Sequence, residues 1–204
     1  MLDGVKVILA SASPRRTELL TQAGISHEII KSTCEETITT NVPEELVMDL
    51  SAQKAEDVFL RYLSSHEEDD FIVIGSDTVV AADGKILGKP ADDADAFAMI
   101  SRLQDNQHQV YTGVTVYSYI KGEKKRNTFY ECSHVNVYPM TTEEIQEYLS
   151  KNEHSDKAGA YGIQGAFAIH IKEFHGDYNN VVGLPVARLY QELQKLGFDW
   201  YHMI

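Results

Sequence analysis

Residues 71–80, Phe-Ile-Val-Ile-Gly-Ser-Asp-Thr-Val-Val, form a near-continuous apolar run with a single carboxylate, Asp77. Its length and β-branched content read as a buried strand, and a chain with such a strand must build layers on both of its faces. An ionised carboxylate there costs several kcal/mol unless a cation, a metal or hydrogen-bond donors meet it. Asp77 is therefore either an acid that serves backbone N–H groups at a strand end or the centre of a charged site. Gly75 and Ser76 beside it predict a kink in the strand or a close approach to its backbone.

The pattern around this strand alternates strand and helix. Residues 5–10 read as a short buried strand, followed by the turn Ser11-Ala12-Ser13-Pro14. Ser13 suits an N-cap and Pro14 the first helical position, and the helix runs to about Gln22 before Gly24 stops it. A strand is expected near 27–31 and a long helix over about 43–64, with Leu46, Val47, Leu50, Val58 and Tyr62 on one stripe. Lys54 falls inside that stripe, so it either snorkels to the rim or reaches a polar pocket. Ala82-Asp83-Gly84-Lys85 has hairpin chemistry. A helix over 91–104, strands over 109–120 and 126–138, and a helix near 141–150 capped by Thr141 or Thr142 follow. Residues 156–165 read as a Gly-rich loop or irregular strand, 166–174 as a strand, and Leu184-Pro185 opens a last helix to about Leu196. This order favours a mixed α/β fold in one domain spanning 1–204.

Charge narrows the partners. The net charge of −13 argues against nucleic acid and against an anionic membrane surface, both of which select basic faces. No run approaches the roughly 18 apolar residues of a membrane span, and the first residues lack the pattern of a signal peptide. Cys34 and Cys132 have no metal-type spacing. The expected compartment is the cytoplasm.

A small anion needs only a local cluster of cations, and three segments offer one. In Ser11-Ala12-Ser13-Pro14-Arg15-Arg16 two arginines open a helix, against its dipole, a cost that a bound anion reverses. Asp77 and Thr78 lie a short hairpin from Lys85 and Lys89, so a carboxylate able to hold a cation or accept a proton stands near phosphate-neutralising lysines. Lys157-Ala158-Gly159-Ala160-Tyr161-Gly162-Ile163-Gln164-Gly165 has glycines that let a backbone wrap a ligand and an amide, Gln164, suited to a base edge. Read locally, each has a plainer alternative: a solvated arginine pair, a strand-end Asp, an ordinary Gly-rich loop. Glu35 and Glu36 read as surface residues, and His170 and His175 as structural.

Together these segments resemble the Maf family of nucleoside triphosphate pyrophosphatases, historically called septum-formation proteins. The resemblance runs in order through Leu9 to Arg16, Gly75-Ser76-Asp77-Thr78, Gly88-Lys89-Pro90, Tyr111-Thr112-Gly113-Val114, Lys157 to Gly165 and Gly176 through Pro185. It implies an inosine-triphosphatase-like α/β fold: a long mixed β-sheet with flanking helices and two lobes around a central cleft. It implies hydrolysis of a nucleoside triphosphate to monophosphate and pyrophosphate with a divalent cation, Mg²⁺ or Mn²⁺, in a cytoplasmic homodimer. Carried over, Asp77 is the catalytic acid and, with Glu36, a metal ligand. Ser11, Arg15, Arg16, Lys54, Thr78, Lys89, Lys157 and Gln164 bind substrate.

The Gly-rich segment resembles that of the branch acting on dTTP and UTP, and a Gln amide can pair with the O/N–H edge of uracil or thymine. Ser76, where the family usually has Ala, and Gly165-Ala166-Phe167-Ala168 depart from its common pattern. Two other functions stay open on sequence: a nucleotide-binding regulator of division with little turnover, and a pyrophosphatase for 7-methyl-GTP or ITP.

Overall fold

A computed structural model describes residues 5–200. The elements in chain order are β1 (Lys6–Leu9), α1 (Pro14–Gln22), β2 (Glu28–Ile29), α2 (Pro43–Leu63), β3 (Phe71–Ala82), β4 (Lys85–Leu87), α3 (Asp93–Leu103), β5 (Gln107–Ile120), β6 (Glu123–Val137), α4 (Thr142–Leu149), β7 (Ile171–His175), α5 (Tyr178–Val182) and α6 (Val186–Lys195). The strands form a seven-stranded mixed sheet in the order β2-β1-β3-β5-β6-β7, with β4 on β3. The described residues fold as two compact units: 5–77, Thr112–Glu131 and 183–200 make the first, Thr78–Tyr111 and Cys132–Val182 the second.

In the first unit β1 pairs in parallel with β3, ending at Leu9↔Ile74. The Ala10 N–H then donates to the Ile74 carbonyl at 2.8 Å. This register delivers the Ser11–Arg16 turn beside Gly75–Asp77. Helix α2 covers the sheet with Ala55, Val58, Phe59 and Tyr62 packed on Ile8, Phe71, Val73 and Tyr117.

No kink is present at Gly75, because β3 runs unbroken through it; the close approach is what occurs. A Cβ at Gly75 would sit 2.7 Å from Ala55 Cβ and 2.8 Å from Ala55 N, and one at Gly113 would sit 2.7 Å from Met48 N. Helix α2 thus lies with its backbone against the sheet, and glycine is the residue that allows it. Side chains alternate along a strand, so Asp77 shares the α2-facing side with Gly75.

The second unit is built on Val80, Leu87, Ile100, Leu103, Val135, Tyr148, Tyr161 and Phe167, with other apolar neighbours. Asp83 and Gly84 take positive φ of 50° and 70°, the two-residue turn that the hairpin chemistry predicts. Asp92 caps α3 by accepting from the Asp95 N–H at 2.8 Å, and Thr141 with Glu144 forms a capping box on α4.

Two local expectations need correction. Ser13 occupies the N-cap position of α1, but its side chain makes no capping bond. Instead Ser11 Oγ accepts from the Ser13 N–H at 3.2 Å. The expected strand over 166–174 is a 3₁₀ turn, Ala166–His170, followed by β7. The turn carries Phe167 into the core, where its ring lies 4.7 Å from that of Tyr161 and 5.0 Å from that of Tyr148. Burial of one aromatic outweighed the strand propensity of the segment.

Candidate active site

Of the twelve residues of β3, all but Asp77 and Thr78 are buried. The Asp77 carboxylate, 13% exposed, is met by the Lys54 ammonium at 2.5 Å, and the same ammonium lies 3.1 Å from Glu36 Oε1. Lys54 therefore turns inward to a carboxylate rather than snorkelling, and Glu36 is an exposed residue whose carboxylate meets the same ammonium. The helix–strand approach at Gly75 explains why: Ala55 touches Gly75, so Lys54, one residue earlier on α2, can extend along the strand to Asp77.

Ser11 and Arg16 form a second cluster in the same unit. Arg16 Nη1 donates to Ser11 Oγ at 3.1 Å, and its Nε donates to the Gly183 carbonyl at 2.8 Å. Ser76, fully buried on the opposite side of β3 from Asp77, donates to the same carbonyl at 3.1 Å. Burial lowers the Arg16 pKa, Asp77 acts against that shift, Arg15 adds to it and Glu36 again opposes it. The two arginines and two carboxylates therefore share one electrostatic neighbourhood. Arg15 is half-buried on the first turn of α1. Gly183 and Ser76 were not recognisable as site supports from sequence; only a small polar residue in an otherwise apolar strand hinted at the latter.

Thr78, Lys89, Lys157 and Gln164 belong to the second unit. Lys89 is exposed, and the carbonyl of Gly88 before it accepts from the Gly159 N–H at 3.0 Å, which ties its loop to the Gly-rich loop. Gly159 takes φ 67° and packs on Val80, where a Cβ would meet Cγ2 at 2.9 Å. Lys157 donates to the Glu153 carbonyl and lies 2.7 Å from the Asp156 carboxylate. Gln164 is exposed. The loop is pinned from behind by Tyr148, whose hydroxyl donates to the Ala160 carbonyl at 3.1 Å, and by Tyr161, whose hydroxyl lies 2.6 Å from His108 Nε2. Burial pushes the phenol of Tyr161 up and lowers His108 to about 4.

Among the described residues no three His, Cys, Asp or Glu side chains cluster as a metal site, and no helix is long and apolar enough to cross a membrane. Neither Cys34 nor Cys132 is joined in a disulfide.

Fold and site together define a mixed-sheet α/β protein with a cation-matched carboxylate on a central strand. The family model for Maf-like protein matches residues 6–196, and the chain belongs to the Maf family. It is 54% identical over 202 residues to the dTTP/UTP pyrophosphatase of Agathobacter rectalis, covering 95% of this chain and 98% of that protein. Proteins of the same name from Lachnoclostridium phytofermentans and Carboxydothermus hydrogenoformans are 47% and 45% identical; each match covers 95% of this chain, and 96% and 100% of the relative.

Proposed function

We propose that this chain is a nucleoside triphosphate pyrophosphatase that hydrolyses dTTP and UTP to the monophosphate and pyrophosphate. The observation that carries the reading is the buried-strand carboxylate Asp77 held against Lys54 and Glu36, in a chain whose relatives bear that activity in their names over nearly their full length.

Arg15, Arg16, Lys54 and Lys89 neutralise the triphosphate oxygens, and Ser11 orients Arg16. Asp77 accepts the proton of a water as that water attacks the α-phosphorus. The bond from that phosphorus to the bridging oxygen breaks, and pyrophosphate leaves with its charge balanced by the lysines. Thr78 and Lys157 contact the substrate, and the Gln164 amide reads the O/N–H edge of thymine or uracil.

A divalent cation, Mg²⁺ or Mn²⁺, fits the residues present: two hard carboxylates, Asp77 and Glu36, converge on one cation position, where the Lys54 ammonium stands. When bound, such an ion stabilises charge on the phosphate oxygens. The same reading places the protein in the cytoplasm, where free thiols persist, as a homodimer; light scattering after size exclusion tests the latter.

The test is pyrophosphate release from dTTP, UTP, CTP, 7-methyl-GTP and ITP with Mg²⁺ or Mn²⁺, beside Asp77→Asn. Selective dTTP and UTP hydrolysis, lost in the variant, is expected. Selective hydrolysis of another nucleotide would reassign the substrate, and tight binding without turnover would turn the protein into a nucleotide sensor.

A further inference from the structure

Glu153 holds both ends of the Gly-rich loop. Its carboxylate Oε2 accepts from the Ala166 N–H at 2.8 Å. Its main-chain carbonyl accepts from the Lys157 ammonium. The segment 153–166 is thus a circuit that closes on one residue, and Gln164 lies two positions before the closing N–H. Gly165 makes this closure possible: a Cβ there would collide with Oε2 and lie 3.1 Å from Glu153 Cδ. Gly162 does the same for Lys157, since a Cβ would lie 2.8 Å from Lys157 Cε. Tyr148 and Tyr161 hold the middle of the loop from the core, but neither touches the stretch from Ile163 to Ala166 through a hydrogen bond. That stretch is held by the Gly165 N–H bond to the Gly162 carbonyl at 3.2 Å, by the Ala168 N–H bond to the Gly165 carbonyl at 3.0 Å, and by Glu153, the one side chain among the described residues that bonds it.

We propose that Glu153 is a positioning residue for base selection: its carboxylate fixes the Gly165–Ala166 backbone and thereby aims Gln164. The inference rests on the dTTP/UTP reading above. Glu153 does not touch the nucleotide. It removes conformations of the loop that would otherwise have to be given up on binding, so its loss weakens binding and blurs base choice while leaving the hydrolytic groups in place. The collision at Gly165 supplies an independent handle. The atom struck is the end of a flexible side chain, so an alanine there displaces the carboxylate rather than the backbone.

The experiment is a double-mutant cycle of Glu153→Ala and Gly165→Ala. Glu153→Gln, which keeps an acceptor oxygen, and Gln164→Ala complete the set. For each, kcat and KM are measured with dTTP, UTP and CTP, and the exchange rate of the Ala166 amide is followed. Glu153→Ala should raise KM for dTTP about tenfold, cut the preference for dTTP over CTP about tenfold and speed Ala166 exchange, with kcat changed less than threefold. Gly165→Ala should do the same, and the double variant should be no worse than either single one. Glu153→Gln should recover most of the loss.

Wild-type KM and base preference in Glu153→Ala, even with a lowered melting temperature, would overturn the proposal. So would additive losses in the cycle. If Glu153→Ala does not fold, Gly165→Ala and Glu153→Gln decide alone. Failure of the underlying reading is separate: the wild type then releases no pyrophosphate from dTTP or UTP, or Gln164→Ala keeps full selectivity, and the proposal falls with it.

Discussion

Asp77–Lys54 and Asp156–Lys157 join the same two kinds of charge on opposite kinds of support. Asp77 projects from a buried strand and Lys54 from a 21-residue helix whose backbone is packed onto that strand at Gly75. Asp156 and Lys157 are neighbours in a loop, and the Asp156 side chain is 54% exposed. Removing Lys54 leaves the Asp77 carboxylate, largely out of water, without its cation, whereas the Asp156 carboxylate keeps its access to water when Lys157 is lost. The contrast fits a division of labour. On the proposed reading, groups that act in hydrolysis sit on elements fixed by main-chain packing, and groups that read the base sit on a loop tied by hydrogen bonds to Glu153 and Tyr148.

The largest test of that contrast is Asp77→Asn. It should lower kcat at least ~1000-fold, about 4 kcal/mol of transition-state stabilisation, while the melting temperature stays within a few degrees because the amide oxygen still accepts from Lys54. Asp156→Asn should lower kcat less than tenfold. Comparable losses in single-turnover assays would break the distinction between the two supports.

Next in size is Gly75→Ala. Its new methyl meets backbone and Cβ atoms of α2, which cannot yield as a side-chain tip can, so about 3 kcal/mol of stability should be lost. Thermal or urea unfolding measures it. The same substitution at Gly165, where only the Glu153 carboxylate is struck, should cost less than 1 kcal/mol of stability and show itself in binding instead. Equal destabilisation at the two glycines would mean that the loop is as rigidly packed as the strand.

The difference in support also decided what could be read in advance. Along β3 and α2 each requirement leaves a mark in local sequence: an apolar run, a carboxylate within it, a lysine on a helical stripe, a glycine at a close approach. Those marks led to Asp77, Lys54 and Gly75 directly. Glu36 became legible only through the family resemblance, because what matters is a contact with Lys54 made from a segment without regular structure. Glu153 left no mark at all, since an acceptor for a loop N–H looks like any surface Glu. The strand expected over 166–174 failed for a related reason: Phe167 is placed by rings of Tyr148 and Tyr161 far from its own neighbours.

A smaller effect separates the two regions by pH. The loop side rests on His108, lowered from 6.5 to about 4 by burial, with its Nδ1 lacking a partner. The unfolded chain binds a proton below pH 6.5 that the folded chain refuses until about pH 4. Stability from this group is therefore complete above the upper value and declines as pH falls through that window. His108→Gln should flatten that part of the melting temperature against pH profile. An unchanged slope would show that the histidine is not the group refusing the proton.

The smallest expected effect bears on the strand side and on the metal. The Lys54 ammonium stands between Glu36 and Asp77, the position that a divalent ion would take. On the proposed reading the ammonium would compete with that ion in the absence of nucleotide and would transfer to phosphate oxygens in its presence, so the ion and the substrate should bind together rather than in sequence. Lys54→Met removes the competitor and keeps the stem packed on α2. It should tighten Mn²⁺ binding to the nucleotide-free protein about tenfold, about 1.4 kcal/mol, even as it abolishes turnover. Glu36→Gln or Asp77→Asn should weaken Mn²⁺ binding in either background. Mn²⁺ titrations followed by electron paramagnetic resonance separate the possible failures. If the carboxylate variants bind Mn²⁺ as the parent does, the ion is held elsewhere. If they lose it but Lys54→Met gains nothing, the ammonium is a neighbour of the cation position and not its occupant, and the strand side would be less pre-formed for its ion than the packing of α2 implies.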